Sequence, residues 1–476
     1  MMLNRKYRTK ILFATLLLTF FATGCTNEST TETIVGDSAS ATKDPTKLDA
    51  FYIAFSPGSD ETERTFSWHT PKTNKEGFVE LRLLDEEGNV LSTEIFEATV
   101  ADTQSGYSTH EASVSGLEPN QFYTYRFGDG YRAWSESYSF RTQEAWDGAF
   151  NLLFFGDPQI GAGDGTQIDA DGWDKTVTVA TEMFPDTDFL VSAGDQVNIA
   201  NNLNQYDGYF FPEELTFYPI MTLIGNHDYT PFADYFNPPN ETGLGADDAG
   251  SDFYFTYGNT LFIALNTQRN NIEEHREAME LAVAENPEAT HRIVLMHKSI
   301  YSSADHARDE DVLAFRDGLV PVFDELDIDV ALMGHDHVYV RTYQMKGDAV
   351  VEEIAYDEAG AAVDPEGTLY LTGNSASDSK YYDMQDSSVY ERYAAVALQL
   401  EEPTFMNVEV TDDSLTFTTY KTADQSVVDA YSIVKVDSGE RKRKAGQSFR
   451  CLRGVFLEGN VLFLRQNKAI FYRKMV

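Results

Sequence analysis

The chain has 476 residues and a formal net charge of -41, with 36 Lys and Arg against 77 Asp and Glu. Hydrophobic residues make up 42% of it and aromatic residues 13%, which is enough apolar surface for several cores and excludes an intrinsically disordered acidic chain. So negative a chain repels phosphate backbones, and we expect no nucleic-acid binding. The length predicts about two or three domains, and the only cysteines, Cys25 and Cys451, exclude a disulfide framework.

Residues 1–25 have the layout of a secretory signal. Four basic residues precede an apolar run from Ile11 to Phe21, and small residues then lead to Cys25. This resembles a bacterial lipoprotein processing site, although Ala22 stands where leucine is more usual. We therefore expect an exported cell-surface protein, anchored to the membrane by lipid on Cys25. The alternative is an uncleaved anchor, but the apolar run is shorter than the ~20 residues that a helical span requires.

Residues 26–48 are rich in Ser, Thr and charge and predict a flexible stalk. The following residues, 49–143, alternate apolar and polar side chains in short runs separated by turn signals, which predicts a small antiparallel β-sandwich. The runs Thr65–Trp68 and Phe140–Thr142 resemble the fibronectin type III-like domain that precedes the catalytic domain in purple acid phosphatases. We expect Trp68 and the tyrosines in the core, His69 and His110 at the surface, and no chemistry in this domain.

From residue 148 to residue 437 the pattern changes to continuous apolar runs, each followed by polar residues. Such clusters at the carboxyl ends of buried strands share one sheet edge, where ligands bind in α/β folds. One cluster alone is a common helix cap or turn, but five in order are hard to explain by structure alone. The clusters are Gly156-Asp157-Pro158-Gln159, Gly194-Asp195, Gly225-Asn226-His227-Asp228, His297, and Gly334-His335-Asp336-His337.

The order GD, GD, GNHD, H, GHDH resembles the metallophosphoesterase superfamily, and with the preceding sandwich the chain is most similar to purple acid phosphatase-like proteins. The resemblance implies an α/β fold, a four-layer αββα sandwich, that holds two divalent metal ions: Mn, Fe, Zn or Mg. Two such ions bind phosphoryl oxygens and activate water. It implies that Asp195 bridges them, that Asp157, Gln159 and His337 bind one, and that Asn226, His297 and His335 bind the other.

The resemblance further implies that His227 faces the substrate rather than a metal. It would stabilise phosphoryl charge or protonate the leaving oxygen, with Asp228 holding its ring. Three residues on loops after the ligand strands are candidates for contacting a small phosphorylated substrate: Arg341, Tyr301 and His306. Two other histidines, His275 and His291, are expected at the surface, beside a helix over 273–284.

The chain departs from the family at two positions. Asn198 stands three residues after the bridging aspartate, where purple enzymes have the tyrosine that binds ferric iron, so we expect neither the colour nor an Fe(III) preference. Gln159 replaces the histidine of the superfamily's first motif, and its amide oxygen is a harder donor that favours Mn, Mg or Fe(II) over Zn. Residues 161–174 faintly resemble a calcium loop but lack its spacing, and we expect a solvated loop there.

Residues 404–436 alternate like strands and are expected to complete the second sheet. The last residues, 438–476, are basic, with ten Lys and Arg against two Glu from Glu440 onward. Three interpretations of these residues are open: a basic patch that binds anionic lipid or wall polymer, a short extra packing element, or a tail foreign to the ancestral domain. The predicted function is hydrolysis of phosphate monoesters. The alternatives are a phosphodiesterase of the same fold and a non-catalytic metal-binding surface lipoprotein.

Overall fold

The computed structural model describes residues 46–143 and 148–436. Cys25, the signal, the stalk up to residue 45 and the basic tail lie outside these residues. No helix within the two described stretches is long and apolar enough to span a membrane.

Residues 51–141 form two four-stranded antiparallel sheets packed face to face, in the orders β1-β2-β6-β5 and β4-β3-β7-β8. Alternate side chains of both sheets, including those of Phe55, Phe66 and Trp68, fill the core between them. The predicted sandwich is therefore confirmed. Its strands are β1 (Phe51–Pro57), β2 (Arg64–Pro71), β3 (Phe78–Leu84), β4 (Val90–Glu97), β5 (Thr99–Asp102), β6 (Tyr107–Val114), β7 (Phe122–Gly128) and β8 (Tyr138–Arg141).

The two histidines of the sandwich are buried, and the expectation that they lie at the surface is wrong. His110 stacks on Trp68 with ring centroids 5.1 Å apart, and its Nε2 lies 2.7 Å from Thr70 Oγ1. His69 Nε2 donates to the Asp234 carbonyl at 2.8 Å. Asp234 belongs to the second part of the chain, so His69 is covered by a neighbouring domain that the strand pattern alone does not show.

The second part begins at β9 and contains the remaining strands and five α-helices of the described chain. Short 3-10 helices lie at Glu213–Thr216, Asp305–Arg308 and Ser387–Val389. The helices are α1 (Thr166–Met183), α2 (Leu203–Tyr209), α3 (Phe232–Tyr235), α4 (Ile272–Glu285) and α5 (Glu310–Glu325). The strands are β9 (Ala149–Phe155), β10 (Phe189–Ser192), β11 (Ile220–Thr222), β12 (Phe253–Tyr257), β13 (Thr260–Leu265), β14 (His291–Met296), β15 (Val330–Met333), β16 (Tyr339–Thr342), β17 (Met345–Lys346), β18 (Ala349–Val350), β19 (Ala355–Tyr356), β20 (Ala362–Val363), β21 (Leu369–Thr372), β22 (Ala394–Leu398), β23 (Thr404–Thr411), β24 (Ser414–Lys421) and β25 (Val427–Val434).

These elements form the four layers expected of an αββα fold. One sheet has the order β11-β10-β9-β23-β24-β25-β20-β19, and the other has the order β12-β13-β14-β15-β21-β16-β22. In β9, Leu152 and Phe154 point into the core between the sheets, whereas Leu153 and Phe155 pack towards α1 and α2. The second sheet shows the same two-sided burial, with α4 and α5 covering its outer face. Burial on both faces explains why these strands read as continuous apolar runs.

Two sequence expectations about this part need correction. Residues 404–436 extend the sheet that β9 begins, because β23 pairs directly with β9. The segment 161–174 is a solvated loop only at its start, since α1 begins at Thr166. The buried side chain of Asp169 accepts the N–H groups of Gly161 and Gly163, which explains the alternating Asp and Gly residues.

The helix expected over 273–284 is confirmed as α4, but the histidines beside it are buried. His275 lies between Asp252 Oδ2 and the Arg269 carbonyl, both at 2.7 Å from a ring nitrogen. His291, at the start of β14, donates to the Thr411 carbonyl at 3.1 Å. Both rings are therefore covered by a neighbouring segment: His275 by the loops that hold Asp252 and Arg269, and His291 by the end of β23.

The ligand-bearing loops follow from the strand directions. β9, β10 and β11 are parallel to one another, and so are β13, β14, β15 and β21 in the other sheet. Five of these strands end directly before the five polar clusters or within three residues of them. The fold therefore brings the carboxyl ends of two parallel strand sets to one edge of the molecule.

The buried histidines of the sandwich predict a loss of stability in acid. Burial lowers the pKa of His69 and of His110 to about 4, whereas an unfolded imidazole titrates near ~6.5. Between these values the unfolded chain binds more protons, so the contribution of each neutral ring is complete above about pH 7 and is lost as the pH falls towards about 4. The loss amounts to about 3 kcal/mol for each ring.

Replacing His110 by Gln removes one titrating group while keeping a polar partner for Thr70. Burial also raises the pKa of Glu111 and Asp234 to about 6, which acts in the opposite direction, so the comparison between variants isolates the imidazole. We expect H110Q to gain stability relative to the parent as the pH falls from 7 to 4.5, measured by urea unfolding. If the stability difference between H110Q and the parent were the same at both pH values, the result would contradict a neutral buried ring at His110.

Candidate metal centre

Side chains from four loops meet at the sheet edge. Ligand atoms of Asp195, His297 and His335 all lie within 4.8 Å of one another. His297 Nε2 is 3.5 Å from Asp195 Oδ2 and 3.1 Å from His335 Nδ1. Asn226 Oδ1 lies 3.0 Å from His297 Nε2. Carboxylate, imidazole and amide donors from β10, β11, β14 and β15 therefore converge on one point.

Asp157 and His337 extend this group towards β9. His337 Nε2 lies 3.3 Å from Asp157 Oδ2, and the backbone N–H of His335 donates to Asp157 Oδ1 at 2.8 Å. Burial opposes ionisation of Asp157, but the neighbouring His297 and His337 hold its pKa below the usual range. His335 thus connects the two groups, through its ring on one side and its backbone on the other.

Hydrogen bonds to carbonyl groups determine which ring nitrogen is free to bind a metal. A carbonyl only accepts, so His297 Nδ1 donates to Ala193 at 2.8 Å and His337 Nδ1 donates to Lys380 at 2.7 Å. Each ring then offers a lone pair at Nε2, which is the usual arrangement in metal sites. Burial and the neighbouring His297 lower the pKa of His335, which favours the neutral ring that a metal requires.

The donor set fits divalent metal ions. Gln159 Oε1 and His337 Nε2 are buried, and neither has a hydrogen-bond partner among the described residues. A buried polar atom without a partner is costly, and a missing ion is one explanation for it. Two carboxylates, three imidazoles and two amides, those of Gln159 and Asn226, supply the oxygen and nitrogen donors that Mn, Fe, Zn and Mg accept. All seven predicted ligand residues lie on the loops at this edge.

The backbone at the centre is strained. Four ligand residues have positive φ: Gln159 at 36°, Asp195 at 51°, His335 at 73° and His337 at 44°. Left-handed backbone costs a residue other than glycine roughly 1–3 kcal/mol, and such strain gathers at functional sites. It lets each side chain return towards the sheet edge immediately after its strand.

Two glycines allow the loops to approach closely. A Cβ atom on Gly334 would lie 2.2 Å from Asp157 Oδ1, and one on Gly225 would lie 2.1 Å from Asp195 Oδ1. Both distances are far shorter than a van der Waals contact. At these two clusters the preceding glycine is therefore required, because the chain packs directly against a ligand carboxylate.

His227 stands beside the cluster, but Asp228 does not hold its ring as expected. His227 Nδ1 donates to the Asn198 carbonyl at 2.8 Å, and its backbone N–H donates to Asp195 Oδ1 at 2.8 Å. The ring is half-buried, and its Nε2 has no hydrogen-bond partner within residues 46–143 and 148–436. Asp228 is buried and accepts from the backbone N–H groups of Gly225, Asp195 and Gln196 at 2.7, 2.9 and 3.1 Å. It orders two ligand loops rather than the imidazole.

The three candidate substrate residues have different positions. His306 stacks on His335 with ring centroids 4.3 Å apart and lies at the centre. Arg341 is instead paired with Asp429, with its Nε 2.6 Å from Oδ2, between the two sheets. Tyr301 is buried in the core beneath α5, where its hydroxyl donates to Asp348 at 2.7 Å. The substrate-contact prediction is therefore wrong for Arg341 and Tyr301, since both side chains are occupied elsewhere.

Tyr382 and Lys380 also lie at the centre, although no sequence prediction included them. The Tyr382 ring lies 5.0 Å from the ring of His306 and 5.3 Å from that of His337, and Lys380 Nζ donates to its hydroxyl at 2.6 Å. They belong to the loop after β21, another parallel strand. A signal was present, because the apolar run of β21 is followed by Gly373-Asn374, as in the five recognised clusters.

A four-layer αββα fold with these donors at the edge between its sheets defines the metallophosphoesterase class of proteins. Comparison with known families agrees: residues 51–142 match the purple acid phosphatase N-terminal domain, and residues 150–339 match the calcineurin-like phosphoesterase family. The chain thus contains a calcineurin-like phosphoesterase domain, preceded by the N-terminal domain of purple acid phosphatases.

Two curated relatives are from Arabidopsis thaliana. Probable inactive purple acid phosphatase 1 is 24% identical over 373 residues, which cover 71% of this chain and 59% of that protein. Probable inactive purple acid phosphatase 27 is 24% identical over 266 residues, or 49% of this chain and 44% of that protein. The chain spans about half the length of these relatives, and both carry the words "probable inactive" in their names.

Two solved structures share the fold. Purple acid phosphatase PPD1 from yellow lupin, Lupinus luteus, superposes with a TM-score of 0.67 at 19% identity, covering 82% of this chain and 75% of that one. The structure of PhoD gives a TM-score of 0.53 at 13% identity, covering 84% and 98%. At these identities the likeness establishes the fold alone.

The close packing at Gly334 leads to a prediction. In Gly334→Ala the new methyl group would displace the Asp157 carboxylate, so we expect at least a ~10-fold loss of metal affinity. Metal content after dialysis would be measured together with the melting temperature. Gly165→Ala is the matched control, because the nearest atom to its Cβ is 3.8 Å away. Equal metal content in the two variants would contradict the packing argument.

Proposed function

We propose that this protein is a binuclear-metal phosphoesterase that hydrolyses phosphate monoesters. The observation that carries the proposal is the convergence of Asp195, His297 and His335 within 4.8 Å, with the free Nε2 of His227 beside them. Bound divalent ions would supply Lewis-acid charge for the phosphoryl oxygens and the attacking water. Asp157, Gln159 and His337 would hold one ion, Asn226, His297 and His335 the other, and Asp195 both.

His227 is the proposed acid that serves the leaving group. Its Nδ1 proton is committed to the Asn198 carbonyl, so the second proton of the imidazolium is carried at Nε2. From that atom it can be donated to the leaving oxygen, and the neutral ring that remains has its lone pair there. The hydrogen bond to the Asn198 carbonyl fixes the plane of the ring, so no aspartate is required to orient it.

The charge of the chain also bears on the proposal. A protein with net charge -41 repels anionic substrates at long range. Within the centre, imidazoles and backbone N–H groups surround the carboxylates, and bound cations would provide the short-range attraction. We infer that substrate affinity depends on metal occupancy more than on fixed positive side chains.

A non-catalytic metal-binding protein is the second candidate. It is favoured by Gln159 in place of a histidine and by the two relatives that are named as inactive. The free Nε2 of His227 opposes it, because a site that only binds metal has no use for a group poised outside the ligand set.

One experiment separates these candidates. The protein would be loaded with Mn, Fe, Zn or Mg in turn, analysed for bound metal, and assayed with an aryl phosphate and an aryl phosphodiester. We expect two ions for each chain, turnover of the monoester, and loss of turnover when a chelator removes the metal. Faster turnover of the diester would indicate a phosphodiesterase. Bound metal without turnover of either substrate would support the second candidate, a non-catalytic metal-binding protein.

Replacing His227 by Asn tests the assigned acid. We expect turnover of the monoester to fall by roughly 100-fold or more while metal content stays unchanged, since general acids contribute about 10²–10⁴. Tyr301→Phe serves as the control, because it removes a hydroxyl that is bonded to Asp348 away from the centre. Parallel loss of metal and activity in His227→Asn would show a metal ligand instead.

We also propose that the protein is exported and anchored to the membrane through lipid on Cys25. The proposal rests on the basic start, the apolar run and the small residues before Cys25. In a bacterial host we expect metabolic labelling with a fatty acid in the parent and none in Cys25→Ser, with the variant released from the membrane. An unlabelled mature product that lacks Cys25 would overturn the proposal.

A further inference from the structure

Asn198 uses all of its polar groups to connect two parts of the centre. Its backbone N–H donates to the Ile160 carbonyl at 3.0 Å, and its own carbonyl accepts from His227 Nδ1. Its side-chain Nδ2 donates to the Gly161 carbonyl at 3.4 Å, and its Oδ1 accepts from Gln159 Nε2 at 3.4 Å. The residue therefore contacts a proposed ligand through its side chain and the proposed acid through its backbone.

The direction of these side-chain hydrogen bonds follows from one backbone carbonyl. Gly161 O can only accept, so Asn198 must turn its NH2 group towards it and its Oδ1 towards Gln159. Gln159 in turn must present its own NH2 group to Asn198. The amide oxygen of Gln159 is then directed away from Asn198, and Oε1 is the buried atom that has no partner among the described residues.

The reverse orientation of Gln159 is unfavourable for two reasons. It would place two amide oxygens opposite each other at 3.4 Å, and it would bury an unpaired NH2 group in place of Oε1. Two backbone hydrogen bonds also restrict movement of the Gln159 loop. The Gln159 N–H donates to the Asp195 carbonyl at 2.8 Å, and the Ile160 N–H donates to the Gln196 carbonyl at 3.1 Å. The two loops are therefore held in register beside each other.

We propose that Asn198 is a positioning residue that makes Gln159 offer oxygen, rather than nitrogen, to the metal centre. This inference rests on the proposed metal-binding function. An amide NH2 has no lone pair for a metal, whereas the amide oxygen is a hard donor that suits Mn and Mg better than Zn. Gln159 and Asn198 thus stand where the family has a histidine and a tyrosine. The orientation that Asn198 imposes determines whether Gln159 can bind a metal ion.

A double-mutant cycle with Mn²⁺ as the probe tests the inference on the full chain. In Asn198→Ala nothing orients the Gln159 amide, and we expect Mn²⁺ affinity at one of the two sites to fall about 10-fold, as for other partners of metal ligands. In Gln159→Glu both outer atoms are oxygens, so orientation no longer matters. Adding Asn198→Ala to Gln159→Glu should then leave the affinity unchanged or raise it, because an oxygen facing the carboxylate is removed.

Calorimetric titration and the Mn²⁺ electron paramagnetic resonance spectrum give readouts that are independent of turnover. Asn201→Ala, an exposed change in the same loop, is the control and should match the parent. An equal fall in both backgrounds would assign Asn198 a merely structural role and overturn the inference, as would full affinity in Asn198→Ala. Failure of the parent itself to bind Mn²⁺, Zn²⁺ or Mg²⁺ would overturn the proposed function and this inference with it.

Discussion

The repulsion among three buried carboxylates, those of Asp157, Asp195 and Asp228, is the constraint on which the centre depends. A buried carboxylate is stable only when hydrogen bonds or cations offset its charge. Backbone N–H groups supply the first part: Asp228 accepts three, and Asp195 and Asp157 accept those of His227 and His335. Burial and the charge of Asp195 raise the pKa of Asp228. The remaining negative charge lies where the imidazoles converge, which is where cations would bind.

The scaffold makes this concentration of charge possible because the loops have little freedom. Five of them start from strands that are buried on both faces. Three of the five turn through left-handed backbone at a ligand residue, and Gly225 and Gly334 let neighbouring loops approach closely. Rigid loops of this kind can hold donor atoms in place before a ligand arrives, which is what electrostatic catalysis requires. The N-terminal sandwich covers part of the phosphoesterase domain, where His69 Nε2 donates to the Asp234 carbonyl.

Much of the fold and of the centre could be predicted from the sequence, because both leave regular patterns. Alternation predicted the sandwich, continuous apolar runs predicted two-sided burial, and the polar residues after them indicated one shared edge. The errors have a common cause. His69, His110, His275 and His291 are buried and hydrogen-bonded to other segments of the chain, and the partly buried Arg341 forms an ion pair with Asp429. The local sequence pattern does not show which segment covers a side chain.

By itself, the sequence determined the class of fold and which polar residues follow the buried strands, since both depend on residue type and on the spacing of neighbouring positions. The tertiary structure alone decided which atoms face which. It assigned Asp228 to backbone N–H groups, the ring of His227 to the Asn198 carbonyl, and the amide of Gln159 to Asn198. The physical reason is that hydrogen bonds are directional, so the role of a polar side chain depends on the donor or acceptor opposite it, which only folding supplies.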